Sequence, residues 1–185
     1  MLATGGVTAR LPAVLLVDAA NVIGSRPNGW WRDRPGAARR FVAEVRAATR
    51  ANRLEGDVVI VLEGQARPGA AEGEADRVRV VHAAGEGDDT LALLAAEAAE
   101  PVTLVSADRG LQRRTQQSGA DAVGPRWLLE RLEVTEIERR HQAAIDAGQP
   151  GYADPDTGLF VFTSAYLLER GTCCDSGCRH CPYDR

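Results

Sequence analysis

Short apolar runs rich in Val, Leu and Ile alternate with Arg- and Ala-rich stretches of helical character through the first three-quarters of the chain. Ala13–Asp18 is a continuous apolar run closing on an acid, the pattern of a strand buried on both faces. A loop rich in Gly, Pro, Asn and Trp follows from Gly24 to Pro35, then a helix from about Gly36 to Ala51. Asp57–Leu62 reads as a second buried strand ending at Glu63, and residues 64–76 as an exposed loop. Arg77–His82 is a third strand, and Asp88–Glu100 a helix that Pro101 stops. Val102–Ser106, the helix Arg109–Ser118 and the short strand Ala120–Val123 complete the alternation. Pro125 then opens the longest predicted helix, reaching about Ala147.

This order predicts an α/β fold, a mainly parallel sheet flanked by helices, whose functional crevice lies at the carboxyl ends of the strands. The pattern breaks at Gly148–Gly151, which divides the chain into a domain over 1–148 and a small Cys-rich module over 149–185. Five of the nine aromatic residues, Tyr152, Phe160, Phe162, Tyr166 and Tyr183, fall in that tail, together with all four cysteines. A segment this small is expected to need a metal, or the main domain, in order to fold.

Composition narrows the function. With 185 residues, 44% hydrophobic and 26% charged, the chain reads as one globular domain plus an appendage. No apolar run approaches the ~20 residues of a membrane span, so no membrane partner is expected. The apolar stretch Leu11–Val17 is about as short as leader regions get and Asp18 ends it at once, so it reads better as a buried strand, which favours a cytoplasmic protein with reduced or metal-bound cysteines. All 22 basic residues are arginine, which removes catalytic lysine and the Walker-type phosphate loop. The net charge of −4 argues against a basic nucleic-acid coat, but not against an enzyme that meets phosphate through metal ions.

The acids supply the candidate chemistry. Asp18, Glu63 and Asp108 each follow a predicted strand, and Asp88 and Asp89 open a helix after the third. Carboxylates converging on one point can hold Mg²⁺ or Mn²⁺, with Asp18, Asp88, Asp89 and Asp108 as principal ligands and Glu63 as a fifth acid. Taken singly, each has a plainer reading: Asp88 and Asp108 also stand where helix caps stand. For substrate, Arg26, Arg32 and Arg34 surround Trp30 and Trp31, combining bidentate phosphate contacts with stacking surfaces; the tryptophans equally suit pinning the loop to the sheet. Ser106 and Arg109 flank Asp108 and can touch phosphate or cap the helix, whereas His82 reads as structural.

In combination, LLVDAANVIGSRPNGWWRDRPGAA, VVIVLEG, GEGDDTL and TLVSADRGLQRR resemble the NYN domains, ribonuclease-like members of the PIN superfamily, over about residues 11–130. There a strand ends in Asp with an Asn three residues on, here Asp18 and Asn21. The resemblance implies a PIN-like fold and a Mg²⁺- or Mn²⁺-dependent site of Asp18, Asp88 or Asp89, and Asp108. Asn21 would position substrate or a metal-bound water. Glu63 departs from the family, which more often has Asp. The implied activity is a ribonuclease-like phosphodiester hydrolase acting on RNA. A nucleotide pyrophosphohydrolase at the same acids, or a catalytically silent RNA-binding module, are the alternatives.

Cys173, Cys174, Cys178 and Cys181 are spaced C-C-x3-C-x2-C, a density suited to tetrahedral Zn²⁺ or an iron–sulfur cluster. Adjacent ligands are unusual in a zinc knuckle, so one of Cys173 and Cys174 can be spare, and His180 can substitute for a thiol. DPDTG and FVFTSAYLLERGTCCDSGCRHCPY resemble a small bacterial domain family with a CC-x2-GCRHCP[YF] signature that carries no established activity. Such a module could extend an RNA surface, dock a protein partner or sense redox state.

Overall fold

The computed structural model describes residues 14–183, so Ala13 and the apolar residues before it lie outside the described part. Strand β1 (Val14–Asp18) is the centre of a six-stranded sheet with β2 (Asp57–Leu62), β3 (Gly73–Ala75), β4 (Val78–His82), β5 (Val102–Val105) and β6 (Asp121–Val123), ordered β3-β4-β2-β1-β5-β6. All pairings are parallel except β3 with β4. β1 is apolar throughout because both faces are covered. Leu15 and Val17 join Val58, Ile60 and Leu62 in one core, beneath helices α1 (Ala19–Gly24), α2 (Arg34–Arg50) and α5 (Pro125–Leu132). Leu16 joins Val59, Val61 and Leu104 in a second core, beneath α3 (Gly87–Glu97) and α4 (Arg109–Gln116). Successive residues serving opposite cores is the strand period of two, and it yields near-continuous apolar runs.

Three segments depart from the sequence reading. The predicted Gly24–Pro35 loop is shorter, because a 3-10 turn holds Trp30–Arg32 and α2 starts at Arg34 with Asp33 as its cap; before the loop, α1 begins directly after β1 with Asp18 as its cap. Residues 64–76 are not a plain loop: a 3-10 turn over Gly64–Gly69 leads into β3, which pairs antiparallel on the sheet edge. Gly69 lets that turn lie on α2, since a Cβ there would sit 2.3 Å from the carbonyl oxygen of Pro35. The long helix expected from Pro125 ends at Leu132, and α6 (Glu136–Asp146) starts afresh. The break is caused by Thr135, whose hydroxyl accepts the Glu138 N–H while the Glu138 carboxylate accepts the Thr135 N–H. The T-x-x-E spacing of that reciprocal cap stands openly in the sequence.

The chain forms two compact units, one up to Leu132 and one from Glu133. Helix α6, counted with the first domain in the sequence reading, therefore belongs with the tail. There it is followed by the antiparallel pair β7 (Gly151–Ala153) and β8 (Phe160–Phe162), then α7 (Ser164–Glu169) and the cysteine segment. None of the helices among the described residues is long and apolar enough to cross a membrane.

Two substitutions test this packing by chemical denaturation. Phe41→Ala, on the fully buried face of α2, should cost about 3–5 kcal/mol. Thr135→Ala should cost about 1 kcal/mol, and an unchanged denaturation profile would mean that the reciprocal cap does not start α6.

Candidate active site

The parallel strands deliver their acids to one edge. Asp18 ends β1 and caps α1, its Oδ1 accepting the Asn21 N–H at 3.0 Å. Its Oδ2 accepts the Ser106 hydroxyl at 2.8 Å, and the Asp108 N–H donates to Ser106 Oγ at 3.1 Å. Ser106 is fully buried just after β5 and so ties the first acid to the last. Gln112 fixes the same turn by donating to the Ser106 carbonyl at 2.7 Å. Asn21 Oδ1 accepts the Ala107 N–H at 2.8 Å, leaving its side-chain NH₂ as a donor. Asp108 caps α4 by accepting the Leu111 N–H at 2.8 Å. Cap and candidate ligand are thus one residue at both Asp18 and Asp108, because a helix start that follows a buried strand sits at the crevice.

Asp18 and Asp88 lie within electrostatic reach of each other, and both within reach of Glu63 and Asp108. Burial pushes the Asp18 carboxyl above its ordinary value of 3.8, with further upward pushes from Glu63 and Asp108 that its hydrogen bonds from Asn21 and Ser106 oppose. Asp88 is raised as well, first by desolvation and then by the charges of Asp18 and Asp108. Glu63 reaches the start of α3, where its Oε2 accepts the Gly87 N–H at 2.6 Å. The glycine permits this contact, since a Cβ there would stand 2.8 Å from that oxygen. The longer acid at this position therefore both contributes charge and anchors α3.

Asp89 does not join the group. It turns outward and pairs with Arg114 at 2.7 Å, which leaves Asp88 as the inward member of the Asp88–Asp89 pair. Arg26 is likewise engaged elsewhere, paired with Glu44 at 2.7 Å and lying over the Phe41 ring. Trp30 and Arg34 do border the site: together with Glu63, Ala20 and Gln65 they line a cleft of about 180 Å³, with the Arg34 guanidinium 5.5 Å from the Trp30 ring centroid. Trp31 is exposed and meets Trp30 edge-on. Arg32 and Arg109 stand exposed at the ends of the turn and of α4. On the other side of α1, Asn21 and Ala107 line a second, open groove with Arg126. His82 is structural, its Nε2 2.8 Å from the Ala70 carbonyl oxygen. The roles of Gln112 and Arg126 carry no signal in the sequence, since each depends on which turn of a distant element lies alongside.

In the second unit the thiols gather in two pairs, Cys174 with Cys178 at 3.3 Å and Cys173 with Cys181 at 3.9 Å, and none is disulfide-bonded. Hydrogen bonds from the Ser176 N–H and from Cys178 bring the Cys174 thiol down to about 7. His180 does not lie free for a ligand role: its Nε2 is 2.7 Å from the Tyr152 hydroxyl and its ring stacks on His141 at 3.7 Å. Burial, then the proximity of His141 and Arg179, holds it down to about 4. Among the described residues, no three acidic, cysteine or histidine side chains are drawn tightly enough to form a ready-made ion cage at either place.

A family of unknown function, DUF5522, matches residues 140–185, beginning inside α6 and including every cysteine. Two solved structures of Rae1 (YacP) from Bacillus subtilis share the fold of the larger part of the chain. One matches with a TM-score of 0.53 and 23% identity over 72% of this chain and 80% of that one. The other, a mutant of the same protein, gives 0.51 and 23% over 72% and 84%. The chain is similar to Rae1 in a mainly parallel, PIN-like α/β architecture.

Proposed function

We propose that the first unit is a ribonuclease-like phosphodiester hydrolase acting on RNA with the help of a divalent cation. The observation that carries this reading is the convergence of Asp18, Glu63, Asp88 and Asp108, with two of the four carboxyls pushed upward by burial and mutual repulsion. A donor set of carboxylate oxygens brought to one crevice suits a hard cation such as Mg²⁺ or Mn²⁺, which would draw them together on binding. The fold shared with Rae1 and the resemblance to NYN domains support the same reading. Asp18, Asp88 and Asp108 would hold the ion, with Glu63 beside them. When bound, such an ion neutralises phosphate charge and makes water a competent nucleophile at neutral pH.

The chain's own residues then do the orienting. Ser106 fixes the rotamer of Asp18 and the position of Asp108 together, so the two acids keep their geometry when a substrate arrives. Asn21, held by the Ala107 N–H, presents its amide donor to a phosphate oxygen. Trp30 and Arg34 offer a face and a guanidinium for a base and its phosphate in the cleft beside Glu63. The groove with Asn21 and Arg126 across α1 gives a strand room to continue.

Purified protein with Mn²⁺ should cleave single-stranded RNA, and Asp18→Asn should abolish cleavage while keeping the helix cap, since Asn caps as well as Asp. Ser106→Ala should lower the rate about 10–100-fold by loosening Asp18. Hydrolysis of nucleoside triphosphates with RNA left intact would overturn the RNA assignment, and RNA binding without product under any divalent metal would make the unit a binding module.

Electrostatic strain gives a second test. Both raised carboxyls favour their neutral form in the fold, so the ion-free protein bears a destabilising charge at neutral pH that is relieved as pH falls through their raised values. Asp88→Asn should therefore raise the melting temperature measured in chelator, and Mn²⁺ should stabilise the wild type more than this variant. Mn²⁺ affinity should also begin to fall on acidification at a higher pH than an ordinary aspartate, near 3.8, would dictate, because protons compete for the raised carboxyls.

A further inference from the structure

The second unit poses a separate question: what holds it together? From Glu133 onward, the buried hydrophobic side chains among the described residues are Ala144, Tyr152 and Leu167, while Leu159, Phe160 and Leu168 are exposed. Units of fewer than about 70–80 residues with so little core depend on a cross-link, usually disulfides or a structural metal. The only thiols of the chain lie here, and none is bonded to another.

We propose that Cys173, Cys174, Cys178 and Cys181 form a mononuclear tetrathiolate site for Zn²⁺ that cross-links this unit.

Sulfur spacing is the first support. Zn–S bonds of about 2.3 Å in a tetrahedron place neighbouring sulfurs about 3.8 Å apart. The separations of 3.3 Å for Cys174–Cys178 and 3.9 Å for Cys173–Cys181 bracket that edge length. They are too long for a disulfide, at about 2.05 Å. They are also too short for thiolates on different irons of a cubane cluster, which the cluster itself holds apart. Cys178 lies within electrostatic reach of both Cys174 and Cys181, so the two edges are neighbours. One ion would draw them into a single tetrahedron, each thiol giving its proton to solvent. Gly177, at φ 70°, helps the chain turn back between Cys174 and Cys178.

The residues around the last two thiols are the second support, because Arg179, His180 and Tyr183 anchor the cysteine segment to the rest of the unit. Arg179 pairs with Asp154, a carboxylate that is 1% exposed and also accepts the Asp156 and Thr157 N–H groups. His180 binds Tyr152 of β7 and stacks on His141 of α6, whose Nε2 accepts the Ser164 N–H at 3.0 Å. The Tyr183 hydroxyl donates to the Leu167 carbonyl at 3.3 Å. The C-R-H-C-P-Y run therefore presents its two thiols from a loop fixed at three points. The His180 ring is occupied as a wedge, so the ligand set consists of the four thiolates. Both Cys173 and Cys174 are used, each completing a different edge.

Elemental analysis of the full chain, purified without chelator, should find one zinc per molecule, and exchange with Co²⁺ should give the intense visible bands of a tetrahedral thiolate complex. Cys178→Ser and Cys181→Ser should each lose the zinc. Because those variants can also unfold the unit, Arg179→Gln supplies a second readout. It keeps all four thiols and should keep one zinc, with affinity by competition titration weakened about 10–100-fold. Four freely titrating thiols that do not change on adding zinc would overturn the site. So would a mass lower by four protons, the mark of two disulfides, or bound iron, with or without acid-labile sulfide.

Discussion

Asp18 sits at the end of the central strand, 8% exposed, with other carboxylates on its open side. A charge in that position is tolerable only if something opposes its desolvation. The fold opposes it with two donors from different parts of the chain, the Asn21 N–H at the start of α1 and the Ser106 hydroxyl after β5. The parallel register of β1 with β5 makes the second contact available, because Val17 pairs with Val105 and the next residue on each strand is Asp18 and Ser106. These bonds offset only part of the cost, since the carboxyl remains pushed upward. The remaining cost is increased by the neighbouring acids, and in the proposed function a bound cation would relieve it.

That single constraint organises the rim of the first unit. Glu63 extends from the strand on the other side of β1 and binds the first turn of α3, which sets Asp88 inward and Asp89 outward. Helices α1, α3 and α4 all begin at this edge, where their unpaired N–H groups favour negative charge. Acids at helix starts are therefore supported locally at the same time as they repel one another across the crevice. The clefts on either side of α1 then carry the aromatic and cationic side chains suited to a polyanion.

The second unit follows a different economy. Its polar contacts are dense and its apolar core sparse: Asp154 gathers two backbone N–H groups and a guanidinium, which hold its carboxyl down to about 2. His141, His180 and Tyr152 form one aromatic cluster with hydrogen bonds at its edge. Such networks specify geometry well, and beside so sparse a core the proposed cross-link through the thiols would add stability.

Several features could be read from the residues alone. β2 runs over Asp57–Leu62, as its unbroken apolar sequence predicts, and the acids at the strand ends could be named because a buried strand followed by a helix must deliver its last residue to the crevice. The T-x-x-E cap at Thr135 was equally open to view; it starts a separate helix, which packs with the unit that begins at Glu133. Other features could not be read this way. Adjacent acids in a helix differ by about 100° in direction, so only the packing of α3 decides that Asp88 faces Asp18 while Asp89 meets Arg114. Arg26 and Arg34 look alike along the chain, yet one is claimed by Glu44 and the other lies over Trp30. The sequence by itself determined which residue types reach the crevice, because strand and helix periods are local properties. Which of them face one another was decided by tertiary structure alone, because it depends on contacts between residues as far apart as Asp18 and Ser106.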